Sequence, residues 1–250
     1  MSEPIRIAMW SGPRNISTAM MRSWGNRGDT VVADEPLYAF YLNATGKKHP
    51  VAREVIASGE TDWRKVAVSL TTTVPQSPSK GGLHIRIFYQ KMMTHHLLPE
   101  MERDWIGRLT NCFLIRDPAE VIASYIKKSD DPELEDLGFG QQAEIFEWVR
   151  ERSETIPPVI DARDVLQEPE RLLRLLCGAI GVEFDPAMLS WAPGLRETDG
   201  VWAKHWYGEV ANSTGFAPYS EPRAEVPTRL RQIEARCRDF YNQLFQHRLR

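Results

Sequence analysis

The sequence is poor in the features that mark several common functional classes. Only three of its 250 residues are cysteines, Cys112, Cys177 and Cys237, and no two of them form a CxxC pair. That pattern argues against a structural zinc site or a disulfide framework and indicates a reducing compartment. No window of about 18 residues is uniformly apolar, and the N-terminus lacks a basic segment followed by an apolar run. We therefore expect a cytoplasmic protein with no membrane partner.

The charge balance excludes another class. The chain carries 31 basic and 34 acidic residues, so it lacks the strongly basic surface typical of proteins that bind nucleic acid. Any anion site must come from the local placement of arginine and lysine. Neither composition nor charge indicates the oligomeric state.

Apolar runs typical of strands alternate with helical patterns along the chain. This alternation predicts an α/β fold in which helices flank a central, mostly parallel sheet. The predicted strands are Ile5–Trp10, Thr30–Ala33, Leu83–Phe88, Asn111–Ile115 and Val159–Asp161. The predicted helices are Ile16–Asn26, Trp63–Thr73, Thr94–Met101, Ala119–Lys128, Gln141–Glu154, Pro169–Ile180 and Pro227–His247.

The chain shows no repeat, low-complexity tract or domain boundary, which predicts a single domain over residues 1–250. Two stretches have the composition of loops. Residues 75–82 consist of turn-forming residues. Residues 194–222 place five large aromatic side chains among glycine, proline and serine, and this stretch is expected to be a lid or a wall on the acceptor side of a site.

The first candidate site is the turn between the first strand and the first helix, Ser11-Gly12-Pro13-Arg14-Asn15-Ile16-Ser17-Thr18. Free backbone N–H groups, the positive end of a helix dipole and the Arg14 guanidinium would converge here on a phosphate-type anion. The turn lacks the second glycine and the lysine of a Walker A loop, which argues against an ordinary NTPase. The alternative is a capped helix with a surface arginine.

The second candidate site is again a strand, a turn and a helix, running from Leu114-Ile115-Arg116-Asp117-Pro118 to Ser124-Tyr125. Proline at the first helical turn is a good start signal for the helix. Arg116 at the strand end and Ser124 two turns into the helix can both reach one ligand over the carboxyl edge of the sheet. The alternative is an ion pair at Arg116 and a solvated serine.

Together the two motifs resemble the P-loop-type sulfotransferases that use 3′-phosphoadenosine 5′-phosphosulfate (PAPS). A third stretch, Asp164–Glu170 and the helix after it, is similar to a strand-to-helix segment of the same family. The resemblance implies that Gly12, Pro13, Arg14, Asn15, Ile16, Ser17 and Thr18 hold the 5′-phosphosulfate, that Arg116 and Ser124 hold the 3′-phosphate, and that no metal takes part. Two departures stand out: Asn15-Ile16 replaces the usual Ser-Gly, and Ala162 stands where many members carry a tyrosine beside the adenine.

Three residues compete for the role of general base toward the acceptor. Glu35 lies in an Asp-Glu-Pro segment that resembles one in bacterial sulfotransferases with a proposed glutamate base, and it ranks slightly ahead. His95 and His96 follow the predicted strand Leu83–Phe88, and Lys91 before them resembles the lysine of the family's Lys…His pair. Lys91 is expected to contact the sulfate. The alternatives are a helix-capping glutamate, surface histidines and a solvated lysine.

The resulting hypothesis is an enzyme that moves a sulfuryl group from PAPS to a hydroxyl or amine of a small-molecule acceptor. Two other classes stay open at this point. One is a non-catalytic module that binds the nucleotide product, adenosine 3′,5′-bisphosphate, for regulation. The other is an ATP-dependent small-molecule kinase, which the missing Walker lysine disfavours.

Overall fold

The computed structural model describes residues 3–75, 84–128, 131–221 and 225–250. Five parallel strands form the sheet: β1 (Ile5–Ser11), β2 (Thr30–Asp34), β3 (Ile87–Met93), β4 (Thr110–Ile115) and β5 (Val159–Asp161). Their order across the sheet is β2-β3-β1-β4-β5. The predicted α/β class is confirmed. Of the predicted loop 75–82, residues 76–82 lie outside the described residues.

Twelve α-helices accompany these strands. In chain order they are α1 (Ser17–Gly25), α2 (Tyr38–Thr45), α3 (Ala52–Ser58), α4 (Trp63–Thr72), α5 (Pro118–Tyr125), α6 (Leu134–Leu137), α7 (Phe139–Arg150), α8 (Ala162–Gln167), α9 (Pro169–Ala179), α10 (Ala203–Trp206), α11 (Gly208–Ala211) and α12 (Arg231–Phe245) in the described segments. Short 3₁₀ turns occur at Thr94–His96, Asp104–Arg108, Pro186–Leu189 and Thr228–Leu230. None of the described helices is both long and apolar enough to cross a bilayer.

The core has two apolar layers, one on each face of the sheet. Alternate residues of a strand point to opposite faces. Accordingly Ala8 and Trp10 of β1 join the layer that includes residues of α4, α7 and α12, whereas Ile7 and Met9 join the layer of α1, α2 and α9. All four of these β1 residues are completely buried. This arrangement is the three-layer architecture expected from the alternation of elements.

The third strand is the main error of the sequence prediction. Of the predicted strand Leu83–Phe88, Leu83 lies outside the described residues and residues 84–86 are not in a strand, because β3 begins at Ile87 and continues to Met93. Gln90 and Lys91 are polar, which ordinarily marks the end of a buried strand, but both are fully buried inside β3. The predicted helix Thr94–Met101 is also wrong beyond its first turn, since only Thr94–His96 is helical.

Of the predicted loop 194–222, Pro222 lies outside the described residues, and the described part, residues 194–221, is tied to the body of the protein at its beginning. It contains the short helices α10 and α11, which the prediction of an irregular loop missed. The Arg22 guanidinium in α1 donates two hydrogen bonds of 2.6 Å to the Asp199 carboxylate, and both side chains are at most 3 % exposed. That this segment acts as a lid stays a prediction.

We predict that Asp199→Ala destabilises the fold by about 3–5 kcal/mol, because it leaves the Arg22 charge buried without its partner. Chemical denaturation followed by tryptophan fluorescence would measure this. Glu170→Ala is the control: it breaks an ion pair with Arg174 whose side chains are more than half exposed, and it should cost under about 1 kcal/mol. Equal losses in the two variants would contradict the anchoring role of Asp199.

Candidate active site

Parallel strands bring the chemistry-bearing residues to one edge. The carboxyl ends of β1, β2, β3 and β4 lie side by side, and the turns that follow them carry the predicted site residues. From one side of the sheet to the other these are Glu35 after β2, the histidines after β3, the turn 12–16 after β1 and Arg116 after β4.

The turn after β1 is packed tightly and leaves the start of α1 open. A Cβ atom on Gly12 would lie 2.7 Å from the carbonyl oxygen of Leu137, so no larger residue fits there. Ile16 is the N-cap residue of α1 and provides no side-chain cap, and the first turn contains no acidic residue. Ser17 and Thr18 lie inside the helix and no side chain caps it, so the alternative of a capped helix is wrong. The N–H groups at this helix start therefore remain suited to an anion.

Asn15 explains how the turn keeps its shape without the usual Ser-Gly pair. Its side-chain amide donates to the carbonyl oxygen of Leu114 in β4 at 3.0 Å, and its side-chain oxygen accepts from the N–H of Ile16 at 2.8 Å. Arg14 has a φ of 55°, in the left-handed region that residues other than glycine seldom adopt. The Asn15 amide thus joins the turn to the neighbouring strand.

The two anion motifs contact each other in both directions. Arg14 Nε donates to Ser124 Oγ at 3.0 Å, and Arg116 Nη1 donates to the carbonyl oxygen of Arg14 at 2.8 Å. Arg116 Nε also pairs with Glu120 at 2.9 Å, and the Tyr219 hydroxyl donates to the same carboxylate at 3.0 Å. The alternative for this motif was an ion pair at Arg116 and a solvated serine. The ion pair is present, but Ser124 is not merely solvated, because it accepts a hydrogen bond from Arg14.

Two guanidinium groups share this half-buried space, which favours an anionic ligand. Burial lowers the pKa of Arg14; Glu209 acts in the opposite direction, and the positive charge of Arg116 lowers it further. Of the three guanidinium nitrogens of Arg14, only Nε has a hydrogen-bond acceptor among the described residues. A phosphate or sulfate would supply both the missing acceptors and the opposite charge.

A buried ammonium forms the other end of the site. Lys91 is 1 % exposed, and its Nζ lies 2.5 Å from Glu35 Oε1, 3.0 Å from Asp34 Oδ1 and 2.6 Å from the Tyr207 hydroxyl. The Tyr207 hydroxyl also lies 2.7 Å from both carboxylate oxygens of Asp34, and the N–H of Gly200 donates to Asp34 Oδ2 at 3.1 Å. The alternative of a solvated lysine is wrong.

Glu35 differs from its neighbours in the cluster because its side chain still reaches the surface. It is 12 % exposed, against 1 % for Asp34, and its φ of 45° is again in the left-handed region. Burial raises the pKa of Glu35, and the Lys91 charge partly offsets that effect. For Lys91, burial opposes the charge, but Asp34 and Glu35 outweigh it and raise the pKa. Helix α2 begins only at Tyr38, so Glu35 does not cap a helix starting at Pro36.

His95 and His96 lie in the interior, which contradicts the alternative of helix-surface histidines. The His96 ring stacks on Tyr38 and Tyr41 with centroids 4.8 and 4.7 Å away, and it meets His95 edge-on at 4.3 Å. Burial, and then the neighbouring His49, lower the pKa of His95 to about 3; burial also lowers the pKa of His96. Both imidazoles are therefore neutral near pH 7.

Two participants of the cluster were missed from the sequence. Asp34 could have been noticed, since it precedes Glu35 at a strand end. Tyr207 had no signal beyond the aromatic content of its segment. Ala162, at the start of α8, is 1 % exposed and presents no ring to a base.

Two further features of the described residues bear on the site. In the segments that the structure describes, no group of three or more histidine, cysteine, aspartate or glutamate side chains could hold a metal ion. A surface groove of about 640 Å³ between Pro169, Arg174 and Phe216 contains none of the predicted site residues.

The profile of the family described as "Sulfotransferase domain" matches residues 5–246. The chain is 36 % identical over 248 residues to Branched-chain-amino-acid aminotransferase-like protein 1 of Arabidopsis thaliana and 30 % identical over 241 residues to protein 2 of that name. These matches cover 99 % and 96 % of this chain but only 43 % and 41 % of the relatives, so the chain spans less than half of their length.

Solved structures agree on the fold. The sulfotransferase domain from the curacin biosynthetic pathway superposes with a TM-score of 0.54 at 16 % identity, covering 100 % of both chains. A sulfotransferase from Alicyclobacillus acidocaldarius gives 0.54 at 10 % identity, covering 100 % of this chain and 98 % of the other. With the profile match over residues 5–246, the chain belongs to the sulfotransferase domain family.

Proposed function

We propose that this chain transfers a sulfuryl group from PAPS to a hydroxyl or amine of a small-molecule acceptor. The observation that carries the proposal is the reciprocal contact of Arg14 with Ser124 and of Arg116 with the Arg14 carbonyl. It brings a loop suited to a 5′-phosphosulfate and a pair suited to a 3′-phosphate into one site. One nucleotide with anionic groups at both positions would bridge the two motifs.

The residues that would hold this donor are those with unused hydrogen-bond donors. The N–H groups at the start of α1 and the terminal nitrogens of Arg14 would bind the 5′ group. Arg116 and Ser124 would bind the 3′-phosphate. When bound, PAPS supplies a sulfuryl group attached to a phosphate leaving group. Arg14 would stabilise the charge that develops on the leaving oxygens, as preorganised donors do in other sites of this kind.

Glu35 is the better supported of the candidate bases. A general base works best when its pKa lies near the working pH. The pKa of Glu35 is raised toward that range, whereas the pKa of His95 is lowered to about 3 and moves away from it. Glu35 also keeps part of its side chain at the surface. We infer that Glu35 accepts the acceptor's proton. The ammonium of Lys91 is 1 % exposed and lies against Glu35, Asp34 and the Tyr207 hydroxyl, so the expected contact of Lys91 with the sulfate finds no free donor.

One prediction of this proposal concerns the affinity for the nucleotide. Arg116→Ala should weaken the binding of adenosine 3′,5′-bisphosphate by roughly 10- to 100-fold, the size expected for lost hydrogen bonds to a charged group. Isothermal titration calorimetry would measure it. Arg171→Ala, which removes an exposed arginine paired with Glu168, is the matched control and should leave the affinity unchanged.

Two outcomes of the same calorimetry would favour the other classes. Binding of ATP with magnesium but not of the bisphosphate would contradict the sulfotransferase proposal and favour a kinase. Tight bisphosphate binding, combined with no turnover of radiolabelled PAPS across a broad panel of alcohols and amines, would favour a regulatory module.

The second prediction concerns the base. Glu35→Gln should reduce sulfuryl transfer from PAPS by about 10²- to 10⁴-fold while bisphosphate affinity stays within twofold, because general-base catalysis is lost and the nucleotide anchors are untouched. In the wild type the acid limb of the rate profile should lie above the ordinary glutamate pKa of 4.5, since the base must be deprotonated. If His95→Ala abolishes transfer and Glu35→Gln does not, this assignment is wrong.

A further inference from the structure

Tyr207 has more polar contacts at the candidate site than the proposed chemistry requires of it. It lies just after α10, is 4 % exposed, and brings its hydroxyl between Lys91 and Asp34. The indole N–H of Trp202 donates to the same hydroxyl at 3.2 Å. Three polar groups thus converge on one phenol oxygen, and two of them, Lys91 and Asp34, come from distant parts of the chain. A tyrosine buried only for packing would need a single partner.

The contacts of Lys91 show what the hydroxyl does. The ammonium has three donors, and its three neighbours are Glu35, Asp34 and Tyr207. Asp34 would compete with Glu35 for this charge if it had no other donors. It has two: the Tyr207 hydroxyl at 2.7 Å and the backbone N–H of Gly200 at 3.1 Å. The shorter Lys91 contact is the one to Glu35, at 2.5 Å against 3.0 Å for Asp34.

We propose that Tyr207 is a positioning residue, whose hydroxyl satisfies Asp34 and braces Lys91 so that the ammonium stays against the Glu35 carboxylate. The proposal rests on the proposed function only in giving Glu35 its role as base. The segment that contains Tyr207 would then complete the acceptor end of the site, where sequence analysis expected a wall or lid.

The electrostatic surroundings of Glu35 give the sign of the effect. The groups that face it are Asp34 in β2, Lys91 in β3, Tyr207 after α10 and Tyr38 in α2. Burial and the Asp34 charge raise the pKa of Glu35, whereas Lys91 and the Tyr207 hydroxyl lower it. Loss of the hydroxyl should therefore make Glu35 easier to protonate, and loss of the Asp34 charge should do the reverse.

The test is a direct titration of Glu35 by NMR, with glutamate labelled at its carboxyl carbon and the Glu35 resonance assigned through Glu35→Gln. Tyr207→Phe should raise the midpoint by about one pH unit, the order expected for a lost hydrogen bond to a charged cluster. Asp34→Asn should lower it. Tyr241→Phe is the matched control, because the Tyr241 hydroxyl also donates to a buried aspartate, Asp161, at 2.7 Å, and it should leave the Glu35 midpoint in place.

An unchanged midpoint in Tyr207→Phe overturns the proposal, and so does an equal shift in Tyr241→Phe. If Tyr207→Phe does not fold, Asp34→Asn decides: a midpoint that stays or rises in that variant also overturns it. The titration needs no acceptor and no PAPS. A shifted midpoint together with absent bisphosphate binding would therefore contradict the proposed function and leave the role of Tyr207 intact.

Discussion

The arrangement of the site depends on the burial of one positive charge. Lys91 lies in a central region of the sheet with its ammonium almost completely removed from water, and a charge in that position is tolerated only when it is paired and hydrogen-bonded. Asp34 and Glu35 supply the opposite charge from the end of β2, and Tyr207 supplies a third partner from the segment that crosses the sheet edge. The need to compensate this single ammonium thus brings three parts of the chain together: the end of β2, Glu35 with its left-handed backbone, and Tyr207 from the segment after α10.

The other end of the same edge follows the opposite principle, because it gathers cations without fully compensating them. Arg14 and Arg116 hold each other's motifs in place through Ser124 and a backbone carbonyl, while Glu120 balances part of the charge. The edge thus has a charge-balanced end and an electropositive end, with the turn after β1 between them, and the electropositive end suits the anionic group of the proposed transfer. The two ends share no described side-chain hydrogen bond, so substitutions at one should leave binding at the other largely unchanged.

Much of this could be predicted from local signals in the sequence. The two strand-to-helix turns with proline and arginine could be located from the sequence, because helix starts and turns are specified within a few residues. The burial of Lys91 could not be predicted in this way: the polar pair Gln90-Lys91 interrupts the apolar pattern of β3, and the partner Tyr207 lies 116 residues further along the chain. The lowered pKa of His95 likewise depends on its burial in the folded chain, where it packs against the ring of Tyr41 in α2. The propensity of each residue indicates whether a segment is a helix or a strand. The burial of a polar residue depends on contacts that form only in the folded chain.

We propose that one nucleotide lies across the sheet edge between the two motifs. The most direct measurement is a crystal structure of the chain with adenosine 3′,5′-bisphosphate. The account predicts that the 3′-phosphate accepts hydrogen bonds from the Arg116 guanidinium and the Ser124 hydroxyl, and that the 5′-phosphate lies on the N–H groups at the start of α1 with Arg14 beside it. A bisphosphate bound elsewhere, with the Arg116–Glu120 and Arg14–Ser124 contacts unchanged, would contradict it.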